Sequence, residues 1–443
     1  MKLFKEVVFS SILCFLMVSQ AMAQQVTYAT VKGQLKGFNN QVQLEDMSEF
    51  QYLLPPTAER MIIPDSAGNF TIRFKISGAN YYRLGRNALY LSPGDNLEVF
   101  IDYSDPRKAV FNGIGAAANN YLKATPFPKG GSFIEAGKQI KETIPETIAA
   151  VEELASIRKN ELAKVVNITA AFRTLETARI KADLINSLLM GEVYSTMKLK
   201  LKDEEAKTFS TAYKSYIAPK IKAYHTNFID PSLLKLVVYR DIAEELGLND
   251  SQMIKDFYAA SEIVSNMQKI SDKHLLMPFK QEIAKLKTPK YAIAANKMLT
   301  YLMAFGKGDA AVDFVARDLN GQKVSLSNLK GKVIYVDLWA TWCGPCMQEM
   351  PHYEKLKQRY ASNKDVVFVS LSIDDNETLW KGSITQRKAE GYQWLINRAK
   401  LQAYNIVGIP RSLLIDKNFK MVDMSAPLPS REAAVKAIDA LLK

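Results

Sequence analysis

The sequence predicts a multidomain chain. An all-β, sandwich-like segment occupies residues 24–125, an all-α region 126–308 and an α/β domain 309–443. Three observations carry this division. From Val26 to about Asp105, short alternating runs are separated by turn signals. From Ser132 to Phe305, apolar residues recur at i, i+3 and i+4. After Gly306-Lys307-Gly308-Asp309, which reads as a linker, strand-like and helix-like stretches alternate. The length of 443 residues agrees, since domains of about 150 residues allow about three.

Residues 1–23 read as a secretory signal. Lys2 and Lys5 form a charged start, Val7 to Val18 an apolar core, and Ala21-Met22-Ala23 a small-x-small cleavage site. The apolar core is shorter than the ~18–20 residues a spanning helix needs. Cys14 lies inside that core behind the bulky Leu13 and goes with the signal. Of three cysteines in the chain, Cys343 and Cys346 then remain. Export places the mature protein in the periplasm of a Gram-negative-type cell, where disulfides persist. The net charge is +12, yet Lys and Arg are interspersed with Asp and Glu and form no basic arm. An exported chain of this pattern has no nucleic-acid partner.

The β segment follows. Its strand-like runs are Tyr28–Leu35, Gln41–Leu44, Phe70–Ile76, Tyr81–Leu84 and Leu97–Ile101, and its turns Asp65–Asn69 and Ser92–Asp95. These predict a small antiparallel sandwich or barrel. In the middle region, helices are predicted over Leu175–Lys198, Asp203–Tyr224, Ser232–Leu246, Ser251–Lys269 and Pro289–Phe305, with Pro219, Pro231, Pro278 and Pro289 at their ends. His225 and His274 fall near helix boundaries without a partner motif. The region carries no catalytic motif.

In the last domain strands are predicted over Val333–Leu338, Val366–Ser370, Ser412–Ile415 and Phe419–Met424. Helices are predicted over Met347–Tyr360, Thr378–Glu390, Arg398–Tyr404 and Arg431–Leu442. The pattern is a βαβ sheet closed by a hairpin and a helix. Trp342-Cys343-Gly344-Pro345-Cys346 stands where the first strand turns into the first helix. A helix start offers unpaired N–H groups and a positive dipole end, and both favour a thiolate, the nucleophile of disulfide exchange. A structural zinc site needs about four N/S ligands, and no second cysteine pair exists. His352, six residues beyond Cys346, reads as a helix-surface residue. No metal and no cofactor are implied. A structural disulfide is the plain alternative to a redox-active pair.

Val336-Asp337-Leu338-Trp339-Ala340-Thr341-Trp342-Cys343-Gly344-Pro345-Cys346 resembles the active-site segment of thioredoxins. Pro351 matches the proline that kinks the following helix in that family. Tyr404-Asn405-Ile406-Val407-Gly408-Ile409-Pro410 is similar to the segment carrying the cis-proline that faces the cysteines. Glu349-Met350-Pro351, with Asp313-Phe314 and Leu329-Lys330-Gly331-Lys332, resembles the TlpA-like branch of envelope thiol–disulfide oxidoreductases. The resemblance runs from Val312 to the end. Asp65 to Phe70, Leu91 to Asp95, and Phe111-Asn112-Gly113 leading to Asn119-Asn120-Tyr121-Leu122 resemble the β-domain of unknown function found ahead of such domains.

The resemblance implies a thioredoxin-like fold and a reductase of protein disulfides acting through Cys343 and Cys346. Cys343, first and nearer the surface, attacks the substrate disulfide; Cys346 resolves the mixed disulfide. Pro410 lies against the pair, and Trp342, Gly344, Pro345 and the Ile409 backbone meet the substrate. Asp337 accepts the proton of the resolving cysteine, and Glu349 is tied to cysteine ionisation. Ser370 departs from the pattern, standing where thioredoxins carry a lysine beside the buried aspartate. Arg411 departs too, where a threonine is common. The implied partners are disulfide-bonded proteins and a membrane-embedded electron donor. Two other readings compete. A thiol peroxidase shares the fold but needs a Thr-x-x-Cys spacing that this chain lacks. A ligand-binding or scaffold protein would use its first 300 residues and keep the last domain for redox maintenance.

Overall fold

The computed structural model describes residues 27–443 apart from 39–41, 58, 124–131, 227, 248–250, 375 and 407. The signal-peptide reading of residues 1–23 therefore lies outside the described residues, as does the Pro126–Gly131 start of the helical region. Nine strands come first: β1 Tyr28–Lys36, β2 Val42–Gln43, β3 Glu45–Asp46, β4 Met61–Ile62, β5 Asn69–Lys75, β6 Asn80–Leu84, β7 Asn87–Leu91, β8 Asn96–Asp102 and β9 Val110–Ile114. They form a four-stranded sheet in the order β5-β1-β8-β9, a three-stranded sheet β3-β6-β7 and a two-stranded pair β2-β4. Strand β5 shows how the sequence builds this layer. Phe70, Ile72 and Phe74 point inward, while Asn69, Thr71, Arg73 and Lys75 stay exposed. Val31, Leu89, Leu97 and Phe111 meet them in the core.

The sheet is not wholly antiparallel, contrary to the expectation. β1 and β8 run parallel, from Thr30 opposite Asn96 to Lys36 opposite Asp102. A parallel neighbour requires a long crossover, and the intervening β2 to β7 supply it. The pairing also needs Gly33, whose φ is +142° and where a Cβ would fall 1.8 Å from the Val99 carbonyl oxygen.

The helices are α1 Ala116–Leu122, α2 Ile144–Lys164, α3 Ala170–Lys198, α4 Asp203–His225, α5 Val237–Glu245, α6 Gln252–Gln268, α7 Phe279–Ile283 and α8 Pro289–Ala304. Thr143 and Glu146 form a reciprocal capping box that opens α2. Two expectations are corrected. Pro219 sits inside α4 instead of ending a helix. One lost N–H bond does not stop a helix whose Tyr213 and Ile217 are buried ahead of the proline and whose Ile221 and Tyr224 pack against the same core beyond it. The stretch read as one helix over Ser232–Leu246 breaks at Leu236, which is extended (φ −90°, ψ 122°) and separates a 3-10 turn at Pro231–Lys235 from α5.

The β layer and the helices share one core, in which Met47, Leu53, Tyr81 and Tyr90 pack with Phe172, Ile180 and Leu234. The Tyr81 hydroxyl donates to Glu176 Oε2 at 2.5 Å. Arg179, itself buried, pairs with both Glu176 and Asp183. Among the described residues no helix is long and apolar enough to cross a membrane.

The C-terminal domain holds β10 Val315–Arg317, β11 Lys323–Ser325, β12 Val333–Trp339, β13 Val366–Ser372, β14 Tyr392–Leu395, β15 Arg411–Ile415 and β16 Met421–Ala426, with α9 Gly344–Arg359, α10 Glu377–Arg387 and α11 Glu432–Leu442. The sheet order is β11-β10-β14-β13-β12-β15-β16. β12 lies inside it, parallel to β13 and antiparallel to β15. All seven of its residues are buried, as its continuous apolar run requires. The Gly306–Asp309 stretch is no free linker. Gly308 N–H donates to Met421 O, Met421 N–H donates to Asp309 O, and Asp309 pairs with Lys273 at 2.6 Å. The Tyr301 hydroxyl donates to Gln402 O, and the Phe305 and Tyr404 rings meet edge-on at 5.5 Å, which fixes this domain against α8.

Candidate active site

The strand-to-helix turn after β12 is set by backbone bonds on both sides. Cys343 N–H donates to Ala340 O at 3.1 Å. Asp374, buried beyond the end of β13, accepts from the Thr341 N–H at 3.0 Å and from the Thr341 hydroxyl at 2.6 Å, and the Ser372 hydroxyl donates to it at 2.7 Å. The turn is thereby tied to the neighbouring strand.

Cys343 is the N-cap of α9. Its Sγ accepts the Cys346 N–H at 3.2 Å, so a first-turn donor points at the first sulfur. The two cysteines form a disulfide with Cα atoms 5.2 Å apart. Both cysteines are buried, and of the two only Cys343 keeps any exposure, 5% against 0% for Cys346. Beside it Trp342 is 65% exposed, and Gly344 and Pro345 are exposed too. The Ile409–Pro410 peptide is cis. Both residues are half-buried, and Ile409 packs against the cluster that contains the two cysteines. Arg411 turns aside, donating from Nε to Met424 O at 2.7 Å.

Asp337 is buried in β12, opposite Ser370 of β13 and Ser412 of β15. The Ser412 hydroxyl donates to its Oδ1 at 3.4 Å. Loss of water pushes the carboxyl up to about 8 from 3.8. The Glu349 charge adds to the rise, and Ser412 and Arg387 partly offset it. Glu349, half-exposed on α9, accepts from Ser430 N–H at 3.0 Å and Ser430 Oγ at 2.8 Å, just ahead of α11. The two acids thus occupy opposite environments. One is sealed and kept largely protonated near neutrality; the other is held by two donors. Tyr335 completes the neighbourhood, with its hydroxyl 2.9 Å from Ser412 Oγ.

Five residues of the predicted site, Trp342 to Cys346, form the turn itself. Ile409, in the loop before β15, packs on the cluster that holds the pair, and the cis Pro410 follows it in the chain; Asp337 sits in the strand that leads to the turn, and Glu349 stands one helical turn beyond Cys346. His352 is exposed on α9 and His274 is exposed in a 3-10 turn, while the side chain of His225 lies outside the described residues. Four contributors were not singled out from sequence: Asp374, Ser412, Ser430 and Arg387. Asp374 had a signal, since Ser372-Ile373-Asp374 is a polar end on an apolar strand. The other three reach the site from distant segments.

A dithiol turn on a mixed sheet, with a buried acid in the strand before it and a cis-proline beside it, defines a thioredoxin-like thiol–disulfide oxidoreductase. Comparison with known proteins agrees. The Redoxin family matches residues 306–442. The thiol-disulfide oxidoreductase ResA of Bacillus cereus is 35% identical over 117 residues, covering 26% of this chain and 67% of that protein. The thioredoxin-like protein YneN of Bacillus subtilis is 30% identical over 134 residues, covering 30% and 79%. A solved chain from Bacteroides vulgatus, provisionally named a thiol-disulfide oxidoreductase, is 42% identical; the match covers 30% of this chain and 96% of that one, with a TM-score of 0.29. Through its C-terminal domain, the chain belongs to the ResA- and TlpA-like thiol–disulfide oxidoreductases of the thioredoxin superfamily.

Proposed function

We propose that the protein is an envelope reductase of protein disulfides. The observation that carries the reading is the asymmetry of the pair: an N-capping Cys343 that keeps a slight exposure beside a sealed Cys346. In the reduced state the Cys343 thiolate attacks one sulfur of a substrate disulfide. A mixed disulfide forms and the other substrate sulfur leaves as a thiolate. Cys346 then gives its proton to the Asp337 carboxylate and attacks Cys343 Sγ. The remaining substrate sulfur leaves and takes up a proton, and the enzyme is left as the disulfide with two electrons delivered. When a donor dithiol reduces the enzyme again, Asp337 in its acid form returns the proton to Cys346. A carboxyl raised to about 8 suits both directions, because each form is populated near neutrality.

Gly344 and Pro345 support the reducing direction, since they bring neither charge nor a side-chain donor to the thiolate. The basic, export-type sequence supports a periplasmic setting, in which a membrane-embedded electron donor recharges the dithiol. Trp342, Gly344, Pro345 and the Ile409 backbone are the surface offered to the substrate. The test is reduction of insulin in the presence of dithiothreitol, followed by its turbidity. The wild-type chain accelerates precipitation, and Cys343→Ser does not. Equal rates for the two would overturn the reading.

A further inference from the structure

We propose that Arg387 is a positioning residue for proton transfer at the dithiol: laid over Trp339, its guanidinium is the cation that makes the carboxylate form of Asp337 accessible. Arg387 is the last residue of α10, a place where a cation is favoured by the helix dipole. Its guanidinium carbon lies 4.7 Å from the Trp339 ring centroid. Trp339 is two residues from Asp337 on β12, hence on the same face of the sheet. A weak bond from Arg387 Nε to Ser383 Oγ at 3.4 Å steadies the side chain. Its Nη2 is buried without a hydrogen-bond partner. A guanidinium remains charged in such a place, and a buried charge calls for an opposite one.

Two acids answer that demand, Glu354 first and then Asp337. Its own strand brings Tyr335, and α9 brings Glu349, Tyr353 and Glu354. The neighbouring strands bring only the hydroxyls of Ser370 and Ser412 at its register, and Arg411 is committed to Met424 O. Glu354 acts on Arg387 more than Asp337 does; its Oε2 holds Lys357 at 2.5 Å, and its Oε1 is buried without a hydrogen-bond partner. Among the described residues facing Asp337, Arg387 is the cation, and it opposes both the burial and the Glu349 charge. When Cys346 surrenders its proton, the new Asp337 acid replaces a carboxylate that Arg387 had been stabilising. Without Arg387 that carboxylate is rarer at neutral pH, and Cys346 has less base to ionise it.

The catalytic consequence rests on the dithiol reading above; the titration itself does not. The test follows the Asp337 side-chain carboxyl by 13C NMR across pH in the oxidised full-length protein, assigned by its loss in Asp337→Asn. The variants are Arg387→Gln and Arg387→Lys, with retained tryptophan fluorescence as the check on folding. Arg387→Gln is expected to raise the titration midpoint by at least about half a pH unit, and Arg387→Lys to return most of the way. A half-unit rise leaves about threefold less carboxylate below the midpoint, so resolution by Cys346 at pH 7 slows about threefold. Arg387→Gln adds nothing in the Asp337→Asn background. An unmoved midpoint in Arg387→Gln, or a lysine variant no better than glutamine, overturns the assignment. A protein that fails to reduce insulin yet shows the midpoint shift would refute the reductase reading and leave this one standing.

Discussion

Replacing Asp337 by Asn is expected to stabilise the C-terminal domain, and by more as pH rises. The carboxyl is buried and pushed up to about 8 from 3.8. For an acid raised in the folded state, the native chain keeps a proton that the unfolded chain has lost. Stability therefore falls as pH rises between about 4 and about 8 and levels off above. At 1.36 kcal/mol per pH unit, a separation of about four units costs the wild type about 6 kcal/mol by pH 8 and about 4 kcal/mol at pH 7. Asparagine has the same shape, still accepts from Ser412 and carries no such term. The assay is denaturant unfolding of the oxidised full chain at a series of pH values, read by tryptophan fluorescence. All four tryptophans, Trp339, Trp342, Trp380 and Trp394, lie in this domain, so the signal reports it alone. The difference between variant and wild type should be near zero at pH 4 and grow steadily to pH 8. A difference that is flat with pH, or a wild type more stable at pH 8, would refute the electrostatic account of Asp337.

Two further outcomes follow from the packing. In reduced protein, iodoacetamide at neutral pH should label Cys343 well before Cys346, because the first sulfur caps α9 and the second is sealed; mass spectrometry that finds Cys346 modified first contradicts the assignment. Tyr81→Phe should destabilise the joint between the β layer and the helices by about 1.5–3 kcal/mol, since it removes a donor to the buried Glu176. Insulin reduction should be unchanged, and a loss of activity would show that the first two regions act on the dithiol.

The parts of the fold legible in the sequence are those where one pattern dominates. β12 is apolar apart from Asp337 because it is covered on both faces, and the Cys343 turn follows it closely. The helices α3, α4, α6 and α8 announce themselves by period and by flanking capping or breaking residues. β10 and β11 were missed because three-residue strands with exposed ends, such as Val315 and Lys323, give no alternation to read. β7 was missed for the opposite reason: Asn87 to Leu91 is buried at every position, so its asparagine disguises a core strand. Pro219 misled because a proline reports a lost N–H bond and says nothing of the packing that outweighs it. At the site, Asp337 could be singled out as an acid in an apolar strand. The groups that set its charge could not, since Glu349 is fixed by Ser430, 81 positions later, and the cation comes from α10.

A dithiol tuned to reduce is distinguished from an oxidising one by its reduction potential. Redox equilibration of the full chain against glutathione, read by tryptophan fluorescence from Trp339 and Trp342 beside the pair, gives that value. A potential below about −200 mV, nearer the thioredoxin value of about −270 mV, is expected. Gly344 and Pro345 offer the thiolate no charge or side-chain donor, and the nearby acids oppose it. A potential more oxidising than about −150 mV would rule out a reductase and make the protein an oxidase or isomerase.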